Sequence, residues 1–154
     1  MLTCRPATHD DAPAIHALGD EMRATLGFKS IDMEATREHC DKLFHAVIDG
    51  AGFLGVVELD GVIVGFLGAH PVQAWWSPKV AYAQEFAFWV SSKARKLGAA
   101  TMLLDAVQAW AKGRGLSSVL MTSEGQYMTI ILKKFYRAHG YKTLMTTFAK
   151  ELHG

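Results

Sequence analysis

Apolar positions along this chain repeat at two spacings, about 3.6 and 2, and each change of spacing marks an element. Leu2–Arg5 is short and stops at Pro6, so it reads as an edge or opening strand. Thr8 or Asp10 can cap a helix that begins near Asp11, with Pro13 tolerated in its first turn. Ile15, Leu18, Met22 and Leu26 then recur at helical spacing, and Gly27 ends the run. A second helix is predicted over Met33–Ile48. Its polar first half (Glu34, Arg37, Glu38, Asp41) implies that only the part around Leu43, Phe44, Val47 and Ile48 faces a core.

Phe53–Leu59 and Val62–Ala69 are β-rich runs joined by Asp60-Gly61, a strong hairpin signal. Gln73–Lys79 reads as a loop carrying Trp75, Trp76 and Pro78. Ala81–Val90 is a long aromatic strand with Glu85 in its middle. Ala99–Ala111 is a helix stopped by Gly113 and Gly115. Val119–Thr122 is a short strand, Ile130–Ala138 a helix ended by Gly140, and Tyr141–Leu152 a closing strand in which Leu144, Thr146, Phe148 and Lys150 alternate. Antiparallel hairpins come first and a βαβ crossover follows, which favours a parallel pairing of Ala81–Val90 with Val119–Thr122. The expected fold class is α/β (α+β): a mixed, mostly antiparallel central sheet with helices on both faces, in a single domain over residues 1–154.

Composition narrows the function more than the fold. With 16 Lys and Arg against 15 Asp and Glu, the net charge is +1, which offers no general electrostatic attraction to nucleic acid or an anionic membrane. Two cysteines, Cys4 and Cys40, do not make a disulfide scaffold. No basic and apolar leader opens the chain, and no apolar run reaches the ~20 residues of a membrane helix. The expectation is a cytoplasmic protein with neither nucleic acid nor membrane as partner. Seven histidines invite a search for metal ligands, but no set has zinc spacing, and His39 and His45 stand about 240° apart around a helix. No metal is assigned.

The stretch that carries chemistry runs from Val90 to Ala100. It joins a strand to a helix, with small residues at Gly98, Ala99 and Ala100 and two cations, Arg95 and Lys96, just before them. A helix start of this kind offers unpaired N–H groups and a favourable dipole to a phosphate. A solvated basic turn before an ordinary helix would carry the same residues.

At this point the sequence resembles the GNAT superfamily of N-acetyltransferases. The family pattern is a strand ending in Val, then Arg/Gln-x-x-Gly-x-Gly/Ala opening a helix; here Val90 is followed by Arg95-Lys96-Leu97-Gly98-Ala99-Ala100. The resemblance extends to the opening Cys4-Arg5-Pro6-Ala7-Thr8, the Asp60-Gly61 hairpin, and Phe135-Tyr136-Arg137-Ala138-His139-Gly140-Tyr141 near the end. Two positions depart from it. Lys96 stands where the family often has Gly, and Thr129 lies near a family Asn that holds the pantetheine arm.

The resemblance implies the GNAT fold and acetyl transfer from acetyl-CoA, the co-substrate, to a primary amine by direct attack in a ternary complex. It places the CoA diphosphate on backbone amides of Arg95, Lys96, Leu97, Gly98, Ala99 and Ala100. The pantetheine arm would lie along the strand edge at Phe88–Val90, with the Val90 N–H as oxyanion donor. Tyr136 matches the family's general acid, which protonates the leaving sulfur. As an alternative it is a helix-face aromatic, although neighbours point about 100° apart on a helix, so Phe135 and Tyr136 cannot both be core.

Glu85 is the only carboxylate in its strand. Burial would raise its pKa toward that of a useful base, and the resemblance implies a carboxylate on this strand that deprotonates the amine, often through water; on a solvated sheet face it would have no such role. Counted by twos, Glu85 shares a face with Ala87 and Trp89, and Phe86 shares the other with Phe88 and Val90. Glu124 is a reserve base. Trp75 and Trp76 could line an acceptor pocket, form a dimer contact or cap the core, and His139 reads as an exposed turn residue. A homodimer is left open. The alternative function is a catalytically weak acyl-CoA-binding or sensory module of the same fold. A doubly wound nucleotide binder is disfavoured, because its glycine turn should come earlier in the chain.

Overall fold

The protein is described by a computed structural model covering residues 1–26, 35–123 and 126–152. Five strands form one sheet in sequence order: β1 (Leu2–Pro6), β2 (Phe53–Leu59), β3 (Val62–Gln73), β4 (Ala81–Val90) and β5 (Val119–Leu120). The first four pair antiparallel and β5 runs parallel to β4. The β2–β3 turn puts Asp60 and Gly61 at φ 51° and 82°. Two consecutive positive φ values define the type I′ turn, whose twist suits a hairpin and which Asp-Gly tolerates best.

Helices cover both faces. Helix α1 (Ala12–Leu26) and helix α2 (Arg37–Ala46) pack Ile15, Leu18 and Phe44 against Leu54, Val56, Phe66 and Trp89. On the opposite face, α3 (Ala99–Gly113) packs Ala99, Leu103 and Val107 against Val57, Val64, Leu67, Ala69 and Val90. The remaining helix, α4 (Gln126–Ala138), follows β5. His16 fastens α1 to α2 through a 2.7 Å bond from Nε2 to Asp41. Arg5 in β1 grips Asp11 with two N–H groups at 2.7 and 3.0 Å and Glu58 of β2 with Nε at 3.0 Å. No helix among the described residues is long and apolar enough to cross a membrane.

Several predicted boundaries move. The second helix starts at Arg37, since Thr36 is extended, and from Val47 it widens into a π turn that Gly50 breaks at φ 117°; Met33 and Glu34 lie outside the described residues. Strand β5 keeps only two residues, and α4 begins at Gln126 rather than Ile130.

The largest correction concerns Tyr141–Leu152, which forms no strand. Its apolar side chains, Leu144, Met145, Phe148 and Leu152, are all exposed. Alternation supplies a face to bury, but a strand also needs a neighbouring ladder, and β5 is too short to provide one.

Candidate active site

The site grows out of an irregularity in β4. Its ladder with β3 runs Gly65↔Val90, Phe66↔Trp89, Leu67↔Phe88 and Gly68↔Ala87, then steps to Ala69↔Glu85. Phe86 is therefore an extra residue, a β-bulge. Gly68 makes room for it: a Cβ there would sit 2.2 Å from the Phe86 ring. The bulge turns Phe86 to the α1–α2 face beside Ala87 and Trp89, and its ring stacks on His70 at 5.8 Å. It also transfers Glu85 to the face of its partner Ala69, which is the face of Phe88, Val90 and α3. Strict alternation had assigned both residues to the opposite sides; a single inserted residue reverses everything beyond it.

Strand β5 pairs with β4 only at Ala83↔Val119 and Gln84↔Leu120. From Glu85 to Val90 that side of β4 has no strand beside it among the described residues, so the edge stays open where β4 and β5 diverge. The Ser91 N–H donates to the Val64 carbonyl at 2.8 Å, toward β3. Successive amides alternate sides, so the Val90 N–H points to the open edge. The Val90 carbonyl, on the same side, accepts the Arg95 Nε–H at 2.9 Å. The Arg95 guanidinium also lies 4.6 Å over the Trp89 ring. Its side chain thus turns back onto β4.

Beyond β4, Ser92–Leu97 form a 3₁₀ turn with Ala94 buried, and Lys96 and Leu97 are exposed. Gly98 then caps α3 with φ 90° and ψ 7°, a left-handed conformation that favours glycine, while Ala99 behind it is fully buried. The first turn of α3 therefore presents backbone N–H groups with no side chain at Gly98 to obstruct them. Thr101 in that turn donates its hydroxyl to His139 Nε2 at 3.2 Å, and His139 Nδ1 donates to the Phe135 carbonyl at 2.8 Å. The second bond puts the ring proton on Nδ1, leaving Nε2 as an acceptor. His139 is thus a half-buried link between α3 and α4 rather than an exposed turn residue.

Glu85 is 7 % exposed, and Tyr136 is 8 %. Glu85 accepts the Thr122 hydroxyl at Oε2, 2.5 Å, and the Tyr136 hydroxyl donates to the Thr122 carbonyl at 2.9 Å. The two predicted side chains, fifty-one positions apart (136 − 85), are thereby brought to one residue at the fork between β4 and β5. Phe135 is only half-buried, so Tyr136 takes the inward direction of the pair. Tyr141 packs 5.6 Å from the Tyr136 ring and accepts from Gln108; burial pushes its phenol pKa above the ordinary value.

Thr129 is half-buried on α4, and Glu124 lies outside the described residues. Trp75 and Trp76 sit far out on the β3–β4 connection, 91 % and 62 % exposed, with their rings edge to face. They do not cap the core. Sequence reasoning missed Thr122, which carried no signal beyond a hydroxyl at the end of a strand.

The model of the acetyltransferase (GNAT) family matches residues 16–141, and the chain belongs to that family. Among solved structures, a GCN5-related N-acetyltransferase from Ralstonia eutropha aligns with TM-score 0.79 at 18% identity, over 100% of both chains. A predicted acetyltransferase with acetyl-CoA from Clostridium acetobutylicum aligns with TM-score 0.78 at 13% identity, over 99% of this chain and 97% of that one. An aminoglycoside acetyltransferase from an uncultured soil metagenomic sample gives 0.76 at 19% identity, with the same coverage. No curated protein matches the chain. At these identities the neighbours support the mixed five-stranded fold with flanking helices, and the family supports acyl transfer.

Proposed function

We propose that this chain, acting as one domain, is an N-acetyltransferase that moves the acetyl group of acetyl-CoA to a primary amine within a ternary complex. One observation carries the reading: a buried carboxylate and a buried phenol are both tied to Thr122 where β4 and β5 diverge, beside an edge of β4 along which the Val90 N–H faces outward. In this reading Arg95, Lys96, Leu97, Gly98, Ala99 and Ala100 hold the CoA diphosphate through backbone amides at the start of α3. Phe88 and Val90 offer the β4 edge to the pantetheine arm, and Thr129 touches it from α4.

The neutral amine nitrogen bonds to the acetyl carbon and sheds its proton through water to Glu85, while the Val90 N–H stabilises charge on the carbonyl oxygen, a contribution of about 2.7–4 kcal/mol. The carbon–sulfur bond breaks, and Tyr136 gives its phenolic proton to the departing sulfur. Amide and CoA result, and the enzyme resets as Glu85 gives its proton to solvent and the Tyr136 phenolate takes one back.

The test combines calorimetric titration of acetyl-CoA with thiol release across a panel of amines: a polyamine, an aminoglycoside, a lysyl peptide and an alanyl N-terminus. The wild type should bind acetyl-CoA and turn over at least one amine. Gly98→Trp should lose binding. Tyr136→Phe should keep it and lose ~10²–10⁴ in turnover. Folded wild type that fails to bind acetyl-CoA would sink the proposal. Binding without turnover, unaffected by Tyr136→Phe, would favour a sensory module.

A further inference from the structure

Thr122 stands at the fork, just after β5, and both of its polar groups are committed. Its hydroxyl has one proton, and that proton goes to Glu85 Oε2 at 2.5 Å. Its carbonyl accepts the Tyr136 O–H at 2.9 Å. We propose that Thr122 is a positioning residue that orients Glu85 and Tyr136 together on the β4 edge. The inference rests on the reading of those two residues as base and acid.

The two bonds act in opposite senses. A hydroxyl given to a carboxylate favours the charged form, which is the form that accepts a proton. A carbonyl that receives a phenolic proton keeps the phenol a donor until a stronger acceptor, such as a departing thiolate, arrives. Thr122 itself is exposed, whereas the side chains it holds are buried. Its side chain fills no core space, so urea denaturation of each variant beside the kinetic assay separates loss of geometry from loss of fold.

The experiment compares Thr122→Val, Thr122→Ser, Glu85→Gln, Tyr136→Phe and the Thr122→Val/Glu85→Gln pair. It reads thiol release from acetyl-CoA with the panel amine that the wild type turns over fastest. Thr122→Val should lower kcat about tenfold or more with the acetyl-CoA Kd unchanged, and Thr122→Ser should restore most of it. The double variant should be no slower than Glu85→Gln alone. A slowly exchanging hydroxyl proton from Thr122 should also appear in the NMR spectrum and vanish in Glu85→Gln. Wild-type kcat in Thr122→Val alongside an impaired Glu85→Gln would overturn the positioning role while leaving the base in place. Equal impairment of the Ser and Val variants would overturn it too. Unchanged kcat in both Glu85→Gln and Tyr136→Phe would instead remove the acid–base reading itself.

Discussion

Asp11 should make this protein lose stability in acid by an amount that one substitution abolishes. Its carboxylate accepts two N–H groups of Arg5, at 2.7 and 3.0 Å, and the backbone N–H of Thr8 at 2.7 Å. The Arg5 guanidinium, foremost, holds the Asp11 pKa at about 2, below the ordinary 3.8, against an opposing effect of burial. The group is depressed on folding, so its contribution is complete above pH 3.8 and is lost as pH falls from there toward 2.

A difference between 3.8 and about 2 is worth ~2.5 kcal/mol at ~1.4 kcal/mol per pH unit. The Asp11 side chain is 10 % exposed, but that of Arg5 is 36 % exposed, so solvent screening brings the expectation down to ~1–2 kcal/mol. Urea denaturation of wild type and Asp11→Asn at pH 7 and at pH 2.5 measures it. The wild type should lose more stability between the two pH values than Asp11→Asn does, by about two-thirds of that amount, because pH 2.5 still lies above the folded pKa. Parallel losses in the two proteins would refute the linkage.

Two further outcomes follow from the packing. Gly68→Ala drives a methyl into the Phe86 ring, so it should destabilise by ~1–3 kcal/mol and lower turnover by disturbing the bulge that places Glu85; denaturation and thiol-release assays check both. Phe148→Ser, at a residue 90 % exposed, should change the unfolding free energy from urea denaturation by less than ~0.5 kcal/mol, whereas a drop of 2 kcal/mol or more, in the range of about 2–5 kcal/mol for a buried apolar side chain, would mean the closing segment is packed after all.

Much of the fold could be read directly from residue order. Asp60-Gly61 marks a turn because few other dipeptides accept two positive φ values, and β4 spans the Ala81–Val90 that its aromatic run predicts. Helix α1 follows from Ile15, Leu18 and Met22 in the same way, and the family from Arg95 through Ala100 together with Tyr136. These are local facts: turn chemistry, periodicity and motif spacing depend on neighbours along the chain. The closing strand failed because its evidence was alternation alone, and the partner that would confirm it lies elsewhere in space.

The sequence by itself therefore determined the elements, their order and the residue types available for acyl transfer. Only the tertiary structure decided which of those residues meet. The bulge at Phe86 exists because Gly68, on another strand, leaves room for a ring, and that one insertion moves Glu85 to the other face of the sheet. Thr122 gains its place between Glu85 and Tyr136 because β5 ends after Leu120 while β4 continues to Val90. Register and strand divergence arise from packing between distant segments, and periodicity along one segment carries no record of them.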